Sequence, residues 1–220
     1  MSIPHCQLIR HCALLSASYH SSIVPPVFCL PHACAVVRGH LLRSGRGSAG
    51  LDVPHVYTAR VNALLDIDQY LHMNNAATLV HLEMARWEMG IAAGLSTQLL
   101  RDGIAFLVAS NVVRYRRPLL PLQRFEVHSQ LIAADDTQLW LRQLVLRPDS
   151  TNPVAGGLVR AVLRDKHGGA CSPISFLQDL DVSPTTFEAI QAAGRGDQPE
   201  LTALHTLERL ITDPDRLHSP

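Results

Sequence analysis

The pattern of apolar and polar residues becomes regular from residue 56 onward. Along Val56–Leu65 the two kinds of residue alternate, which is typical of a strand with one buried face. After a polar break, the segment Ala76–Ala93 has helical spacing and is apolar around much of its circumference, so it predicts a buried helix. Asn74 or Asn75 can cap the start of this helix, and Gly94 suits its end.

Four further strands are predicted after the helix, separated by polar turns. They are Ala105–Arg116, Arg124–Ala133, Gln138–Arg147 and Val154–Arg164. Consecutive strands that meet at short polar turns favour an antiparallel meander. Two helices are predicted near the C-terminus, one from the Ser183 and Pro184 capping pair to about Gly194, the other from Pro199 to Ile211. The pattern therefore predicts an α+β fold.

The chain has 220 residues and a mass of 24.1 kDa, so its length suggests one domain with appendages. Its 19 basic residues balance its 19 acidic residues, and this zero net charge gives no reason to expect binding to nucleic acid. The charge is unevenly distributed, because residues 1–51 contain four arginines and no acidic residue. The other 15 basic residues face all 19 acidic ones, which gives residues 52–220 a net charge of −4.

Residues 1–51 have the composition of a targeting segment. They lack acidic residues, contain arginine and are rich in serine, as mitochondrial transit peptides are, and we therefore expect a mitochondrial location, with the cytoplasm as the alternative. Four prolines would interrupt a long amphipathic helix there, so a disordered extension, a membrane anchor and an over-extended reading frame are alternatives. Membrane association is expected only through this segment.

Cysteine usage gives no sign of a metal site or a disulfide framework. Four of the five cysteines lie in residues 1–51, at spacings of six and five, and neither spacing is that of a structural zinc site. Only Cys171 lies in the part expected to fold, so no disulfide is expected there. We expect neither a cofactor nor a metal.

The polar break before the long helix concentrates the residues with candidate chemistry. Asp66, Asp68, His72, Asn74 and Asn75 lie within ten positions. The start of a buried helix offers unpaired N–H groups that can polarise a carbonyl, and a carboxylate beside it can act as a base or a nucleophile. The structural alternative is that the Asp and Asn residues form caps and turns and that His72 simply packs.

The same segment resembles the signature of the hotdog-fold thioesterases, which include 4-hydroxybenzoyl-CoA thioesterases and plant acyl-ACP thioesterases. Residues 66–76 read Asp-Ile-Asp-Gln-Tyr-Leu-His-Met-Asn-Asn-Ala, and residues 83–86 read Glu-Met-Ala-Arg. The Leu-His-Met-Asn-Asn core, with Arg-Tyr-Arg-Arg-Pro-Leu at 114–119, is most similar to the group around thioesterase superfamily member six. The resemblance covers about residues 56–185. It implies a curved antiparallel sheet wrapped around one long helix, in a chain that forms homodimers or higher homo-oligomers.

The resemblance also implies roles for individual residues. In the matching thioesterases the second aspartate of Asp-x-Asp is the nucleophile or general base, and that residue is Asp68 here. His72 aligns with the catalytic histidine of the acyl-ACP thioesterases, and with Asn74 it would orient the carboxylate or the water. Backbone N–H groups near Asn75 and Ala76 would bind the substrate by polarising the thioester carbonyl.

Three positions differ from the family pattern. Tyr70 stands where the acyl-ACP thioesterases have their catalytic asparagine, Leu71 where a glycine is common, and Thr78 where a tyrosine is usual. These differences keep a second interpretation open beside the hydrolase. In that interpretation the chain is a catalytically inactive hotdog protein that binds acyl groups or acts as a scaffold.

Charged residues outside the polar break are weaker candidates for substrate binding or catalysis. Arg114, Arg116 and Arg117 could hold the phosphates of CoA through their guanidinium groups, whereas the structural alternative is that charges at a strand end are solvated. Glu83 and Arg86, three apart on the helix, are expected to form a structural pair.

The implied activity is cleavage of acyl-CoA or acyl-ACP thioesters to the free acid and the thiol. A hotdog dehydratase is disfavoured, because that class sets its Asp and His five apart, whereas Asp68 and His72 are four apart. We divide the chain into an N-terminal extension at 1–51, a hotdog domain at 52–172 and a C-terminal helical extension at 173–220.

Overall fold

The structure, a computed structural model of the chain, describes residue 51 and residues 53–180, 182–196 and 199–212. Our predictions for the targeting segment and the four N-terminal cysteines fall on residues 1–50 and lie outside the described residues. Among the helices that are described, none combines the length and apolar character that crossing a membrane requires.

The described residues form one antiparallel sheet with helices on both of its faces. In chain order the elements are β1 (His55–Arg60), α1 (Asn75–Ala92), α2 (Leu95–Asp102), β2 (Ala105–Tyr115), β3 (Arg124–Ala134), β4 (Leu139–Leu146), β5 (Ala155–Arg164), β6 (Ala170–Cys171), α3 (Pro173–Gln178), α4 (Pro184–Arg195) and α5 (Pro199–Thr212). The predicted order of strand, long helix, four strands and two C-terminal helices is confirmed. The short helices α2 and α3 were not predicted.

The strands lie in the order β1-β3-β4-β5-β2, and β6 pairs with β5. Strands β3, β4 and β5 form the expected meander, but β2 pairs with β5 at the far edge instead of with β3. The prediction of one meander through all four strands is therefore wrong. The connection at 116–123 is long enough to cross the end of the sheet, and the buried Leu119 anchors it by accepting a hydrogen bond from Met73 N–H at 2.8 Å.

The first strand is shorter than the alternation predicted, because it ends at Arg60 and not at Leu65. The side chain of Asn62 accepts hydrogen bonds from the N–H groups of Leu64 and Leu65, at 2.9 and 3.2 Å, and so turns the chain. The carboxylate of Asp66 accepts from Asn62 N–H at 2.8 Å and closes that turn. Leu65 is 71% exposed, so its place on the apolar side of the alternation does not reflect burial.

Helix α1 has the bounds that its pattern predicted to within one residue. Asn74 is its N-cap, with a side-chain oxygen that accepts from Ala76 N–H at 2.8 Å. Gly94 follows the last turn with a φ of 82°, the left-handed conformation that suits glycine beyond a helix end. Leu82 and Ala85 are fully buried against the sheet, so the prediction of a buried helix is confirmed.

The core between α1 and the sheet has two parts. One, near the start of α1, includes Leu82, Phe125 and Val127. The other, near its end, includes Leu141 and residues of α3 and α4. Leu51, which we assigned to the N-terminal extension, belongs to this second part and is only 4% exposed. Helices α3 and α4 therefore pack into the same core as the end of α1.

Helix α5 covers the opposite face of the sheet. Leu201 and Leu204 pack against Ala133 and Trp140, which point away from α1. Leu207, on the predicted apolar stripe of α5, is 44% exposed, so the stripe is only partly buried. The sheet is consequently buried on both faces where α5 lies.

Gly194 lets α4 approach the backbone of β3 closely. A Cβ atom at this position would overlap the carbonyl of Ala134. Helix propensity alone favours alanine over glycine by about 1 kcal/mol, but overpacking against backbone costs about 1–3 kcal/mol. We therefore expect Gly194→Ala to lower the free energy of unfolding, measured by chemical denaturation.

Ala192→Gly, at an exposed position of the same helix, is the matched control and should lower stability by about 1 kcal/mol through propensity alone. A Gly194→Ala protein more stable than the parent would contradict the close approach.

Candidate active site

The polar break between β1 and α1 forms a tight hairpin. Ile67 and Met73 are joined by an isolated antiparallel bridge, and Asp68 N–H donates to His72 C=O at 2.9 Å. Leu71 N–H donates to the carbonyl of Asp68 at 3.1 Å and closes the tip. The hairpin places Asp68 and His72 opposite one another, immediately before the start of α1.

The carboxylate of Asp68 is held by the backbone of its own hairpin. Its Oδ1 accepts from Tyr70 N–H at 2.9 Å and from His72 N–H at 3.2 Å. Among the described residues nothing donates to Oδ2. The side chain is therefore fixed through one oxygen, while the other is left to contact water or a substrate.

His72 and Asn74 contribute to this arrangement mainly through structure. The His72 ring is half-buried and makes no hydrogen bond to the described residues, so its link to Asp68 runs through its backbone. The side-chain oxygen of Asn74 is occupied in capping α1, and its carbonyl accepts from the N–H of Thr78 at 3.0 Å. The side-chain NH₂ of Asn74 and the ring of His72 have no hydrogen-bond partner among the described residues, so both can bind a ligand.

The start of α1 is partly occupied by its own cap. The N–H of Ala76 donates to Asn74, whereas the N–H of Asn75 has no acceptor among the described residues. The carbonyl of Asn75 accepts from the hydroxyl of Tyr115 at 3.3 Å, and burial raises the pKa of that tyrosine. Tyr115 thus ties the end of β2 to the start of α1, a contact that the sequence pattern did not reveal.

The three arginines of the predicted phosphate site lie at the end of β2, and all are exposed. Arg114 is on the face of the strand opposite to Tyr115, because successive side chains alternate. The N–H groups of Arg116 and Arg117 donate to Val154 C=O at 2.9 and 3.0 Å. Their guanidinium groups make no hydrogen bond within the described part of the chain, so they are available to an anion.

A buried polar cluster fixes α1 to the sheet. Arg86 donates to the side chain of Gln143 at 2.7 Å, and Gln143 donates to Leu82 C=O and to Ser129 Oγ, both at 2.9 Å. Burial lowers the pKa of Arg86, and the charge of Glu83 acts in the opposite direction. Because Gln143 and Ser129 are fully buried, we interpret this cluster as structural.

A chain of polar side chains that the sequence analysis missed lies beside the hairpin. The ring of His81 stands between Asp66 and the hydroxyl of Tyr57, within hydrogen-bond distance of both. Tyr57 and His81 are 24 positions apart, and Asp66 and His81 are 15 apart, so no local spacing could reveal these contacts.

Comparison with known proteins decides the family. The family model described as the thioesterase-like superfamily matches residues 63–193, more than half of the chain. The chain belongs to the thioesterase-like superfamily. The match includes the hairpin, α1 and every strand after it.

Two known proteins are similar to the chain in sequence. Protein THEM6 of Drosophila melanogaster is 31% identical over 137 residues, which cover 61% of this chain and 63% of that protein. The long-chain acyl-CoA thioesterase FadM of Escherichia coli K12 is 33% identical over 100 residues, covering 45% of this chain and 75% of that protein. The chain spans only 40% to 63% of the length of the THEM6 proteins that it matches.

A solved structure shows the same fold. The probable thioesterase YbaW from Escherichia coli superposes with a TM-score of 0.50 at 25% identity, over 62% of this chain and 99% of that one. The expected hotdog fold, an antiparallel sheet curved around one long helix, is thereby confirmed.

Leu71 introduces backbone strain into the hairpin. Its φ is 58°, in the left-handed region, which costs about 1–2 kcal/mol for an L-residue other than glycine. A glycine is common at this place in the family. We expect Leu71→Gly to raise the free energy of unfolding by about 0.5–1 kcal/mol, after its larger loss of backbone entropy is allowed for.

Leu64→Gly is the matched control, because Leu64 is also an exposed leucine before α1 but has no positive φ. It should lose stability when the free energies of unfolding of both variants and the parent are measured by urea denaturation. Equal effects of the two substitutions would argue against strain at Leu71.

Proposed function

We propose that the protein hydrolyses acyl-CoA thioesters to the free acid and CoA, with Asp68 as the reacting carboxylate. The observation that carries this proposal is the carboxylate itself, held at Oδ1 by two N–H groups with Oδ2 open beside the start of α1. Similarity to FadM, a long-chain acyl-CoA thioesterase, supports acyl-CoA as the substrate class.

In the general-base route, Oδ2 of Asp68 takes a proton from a water whose oxygen attacks the thioester carbonyl carbon. The resulting oxyanion would lie at the start of α1, where the free N–H of Asn75 and the positive end of the helix dipole stabilise negative charge. When the C–S bond breaks, the proton held by Asp68 passes to the thiolate leaving group. No other reactant is needed.

In the nucleophilic route, Oδ2 attacks the carbonyl directly and expels the thiolate, and water then hydrolyses the mixed anhydride. Both routes use the same oxygen and the same N–H group. His72 lies opposite Asp68 in the hairpin and Asn74 follows it at the helix cap, so the His72 ring and the Asn74 side-chain NH₂ would orient the water in either case.

The phosphates of CoA would contact the arginines at the end of β2. Arg116 and Arg117 follow directly after Tyr115, which touches the start of α1. A guanidinium group can donate two parallel hydrogen bonds to the oxygens of one phosphate. The two arginines therefore suit the CoA part of the substrate. Arg114, on the opposite side of the strand, would have to act from the outer face.

We also propose that two copies of the chain associate through β2. This strand of eleven residues is at the edge of the sheet and is exposed along most of its length, including Leu107, Val108 and Val112. An unpaired apolar edge strand is a template for pairing with another strand. A second copy paired there would lie beside Tyr115 and the start of α1.

The composition of residues 1–51 supports a mitochondrial location for this activity. Serine and arginine without acidic residues are the features that such targeting segments share.

Asp68→Asn tests the catalytic role. The amide oxygen can still accept from Tyr70 and His72, so the hairpin should persist, but an amide is neither a base nor a nucleophile. We expect kcat/KM on a panel of acyl-CoAs, followed by the released thiol, to fall at least about 100-fold.

Asp102→Asn is the control, because this aspartate pairs with Arg101 at the other end of the sheet and should leave the rate unchanged. Unchanged hydrolysis by Asp68→Asn would refute the assignment. Retention of acyl-CoA binding without thiol release by the parent, at every chain length, would instead favour the non-catalytic binding protein.

Leu107→Glu combined with Val112→Glu tests association through β2. The two carboxylates would face like charges across a strand pair and repel the second copy. Sedimentation velocity should find a dimer for the parent and a monomer for the double variant. Leu207→Glu, at a comparably exposed leucine on α5, should remain a dimer, and a double variant that also remains one would exclude this edge.

A further inference from the structure

Three side chains form a polar chain that leads from β1 through α1 to the hairpin of Asp68. The hydroxyl of Tyr57 lies 3.1 Å from Nδ1 of His81, and Nε2 of His81 lies 3.2 Å from Oδ2 of Asp66. His81 and Asp66 are nearly buried, with 17% and 18% of their side chains exposed. The family signature includes Asp66 as the first aspartate of Asp-x-Asp but implies no role for its side chain, and Tyr57 and His81 lie outside the signature.

Asp66 is the point where this chain joins the candidate site. Its Oδ2 accepts from His81 and, at 2.8 Å, from Asn62 N–H, so one oxygen ties the turn after β1 to the helix. Its carbonyl accepts from the N–H of Asn74, the N-cap of α1, at 2.7 Å. Asp66 therefore connects the turn, the helix cap and the hairpin.

The chemistry of the ring fits a donor to Asp66. A carboxylate oxygen only accepts hydrogen bonds, so Nε2 must carry a proton, and Nδ1 can accept from the hydroxyl of Tyr57 or donate to it. The ring of His81 also packs edge-on against the buried Phe125, with centroids 5.0 Å apart. The orientation of the ring and the proton on Nε2 are thus set by its neighbours.

Asp68 depends on the position of Asp66 because only Ile67 separates them. Ile67 packs into the core and forms the bridge to Met73. Its side chain therefore lies on the face of the hairpin opposite to the side chains of Asp66 and Asp68. The backbone from 66 to 68 is consequently held on one side by apolar packing and on the other by His81. Release of Asp66 would free the hairpin whose N–H groups orient Asp68.

We propose that His81 is a positioning residue for thioester hydrolysis, acting through Asp66 to hold the hairpin of Asp68 against α1. This proposal rests on the proposed function, because it concerns the same carboxylate. His81 does not touch the substrate. Its bond to a rigid, buried helix sets the distance between Oδ2 of Asp68 and the helix N–H that would stabilise the oxyanion.

The test compares two substitutions of His81. Phenylalanine keeps the ring and its edge contact with Phe125 but removes both hydrogen bonds, whereas glutamine can place an amide donor near the position of Nε2. We expect His81→Phe to lower kcat for acyl-CoA hydrolysis about ten-fold or more with KM changed less than about two-fold, because displacement of a reacting group by about 1 Å has effects of this size. His81→Gln should recover most of the loss.

His205→Phe is the matched control. His205 stacks edge-on against Trp140 on the outer face of the sheet and contacts Gln138, so the same substitution there removes a polar contact and keeps an aromatic one. It should leave kcat and KM unchanged. A loss of kcat in this variant equal to that of His81→Phe would show that the effect is not specific to the hairpin and would overturn the proposal.

Amide hydrogen exchange provides a readout that does not depend on hydrolysis. Exchange of the segment 66–75 should become faster in His81→Phe, return towards the parent rate in His81→Gln and stay unchanged in His205→Phe. If the parent hydrolyses no acyl-CoA, the proposed function fails, and the exchange rates still decide whether His81 holds the hairpin. Unchanged exchange and unchanged kcat in His81→Phe would overturn the role of His81, as would a loss of kcat that glutamine does not restore.

Discussion

The burial of α1 within the curved sheet is the constraint on which the rest of the structure depends. Polar side chains on a helix with Leu82 and Ala85 fully buried are destabilising unless they are paired. The hydrogen bond from Arg86 to Gln143 and the contact of Glu88 with His55 pair two of them near the middle of the helix. These bonds cross to different strands and fix the rotation of the helix about its axis, which leaves its N-terminus as the place where its backbone meets solvent.

That open N-terminus explains why polar residues gather before it and why they divide into two groups. Asn74 and Asp66 bond to other elements: the side-chain oxygen of Asn74 caps α1, and one oxygen of Asp66 joins the turn after β1 to His81. Asp68 accepts hydrogen bonds only from backbone N–H groups of its own hairpin, and they leave Oδ2 without a donor among the described residues. The same types of residue therefore have different functions, according to the elements that they bond to.

The elements with a strong period were predictable from the sequence, and those fixed by tertiary contacts were not. The apolar circumference of α1 and the alternation along β3 gave their bounds almost to the residue. The end of β1 depends on hydrogen bonds to the side chain of Asn62, which compete with the alternation. The edge position of β2 depends on how the crossing loop is anchored. His81 and Tyr115 belong to the site only through contacts between residues far apart in sequence, and rules based on local spacing cannot predict such contacts.

Helix α5 has a consequence for assembly beyond the single chain. Trp140 on the outer face of the sheet would otherwise be an exposed aromatic platform, and such surfaces favour stacking of sheets and aggregation. Leu201 and Leu204 occupy that platform from within the same chain, so its shielding is present at any concentration and needs no neighbour. A protein that covers its own outer face in this way can leave a sheet edge open for pairing with another strand, because α5 shields the apolar outer face of the sheet from nonspecific association.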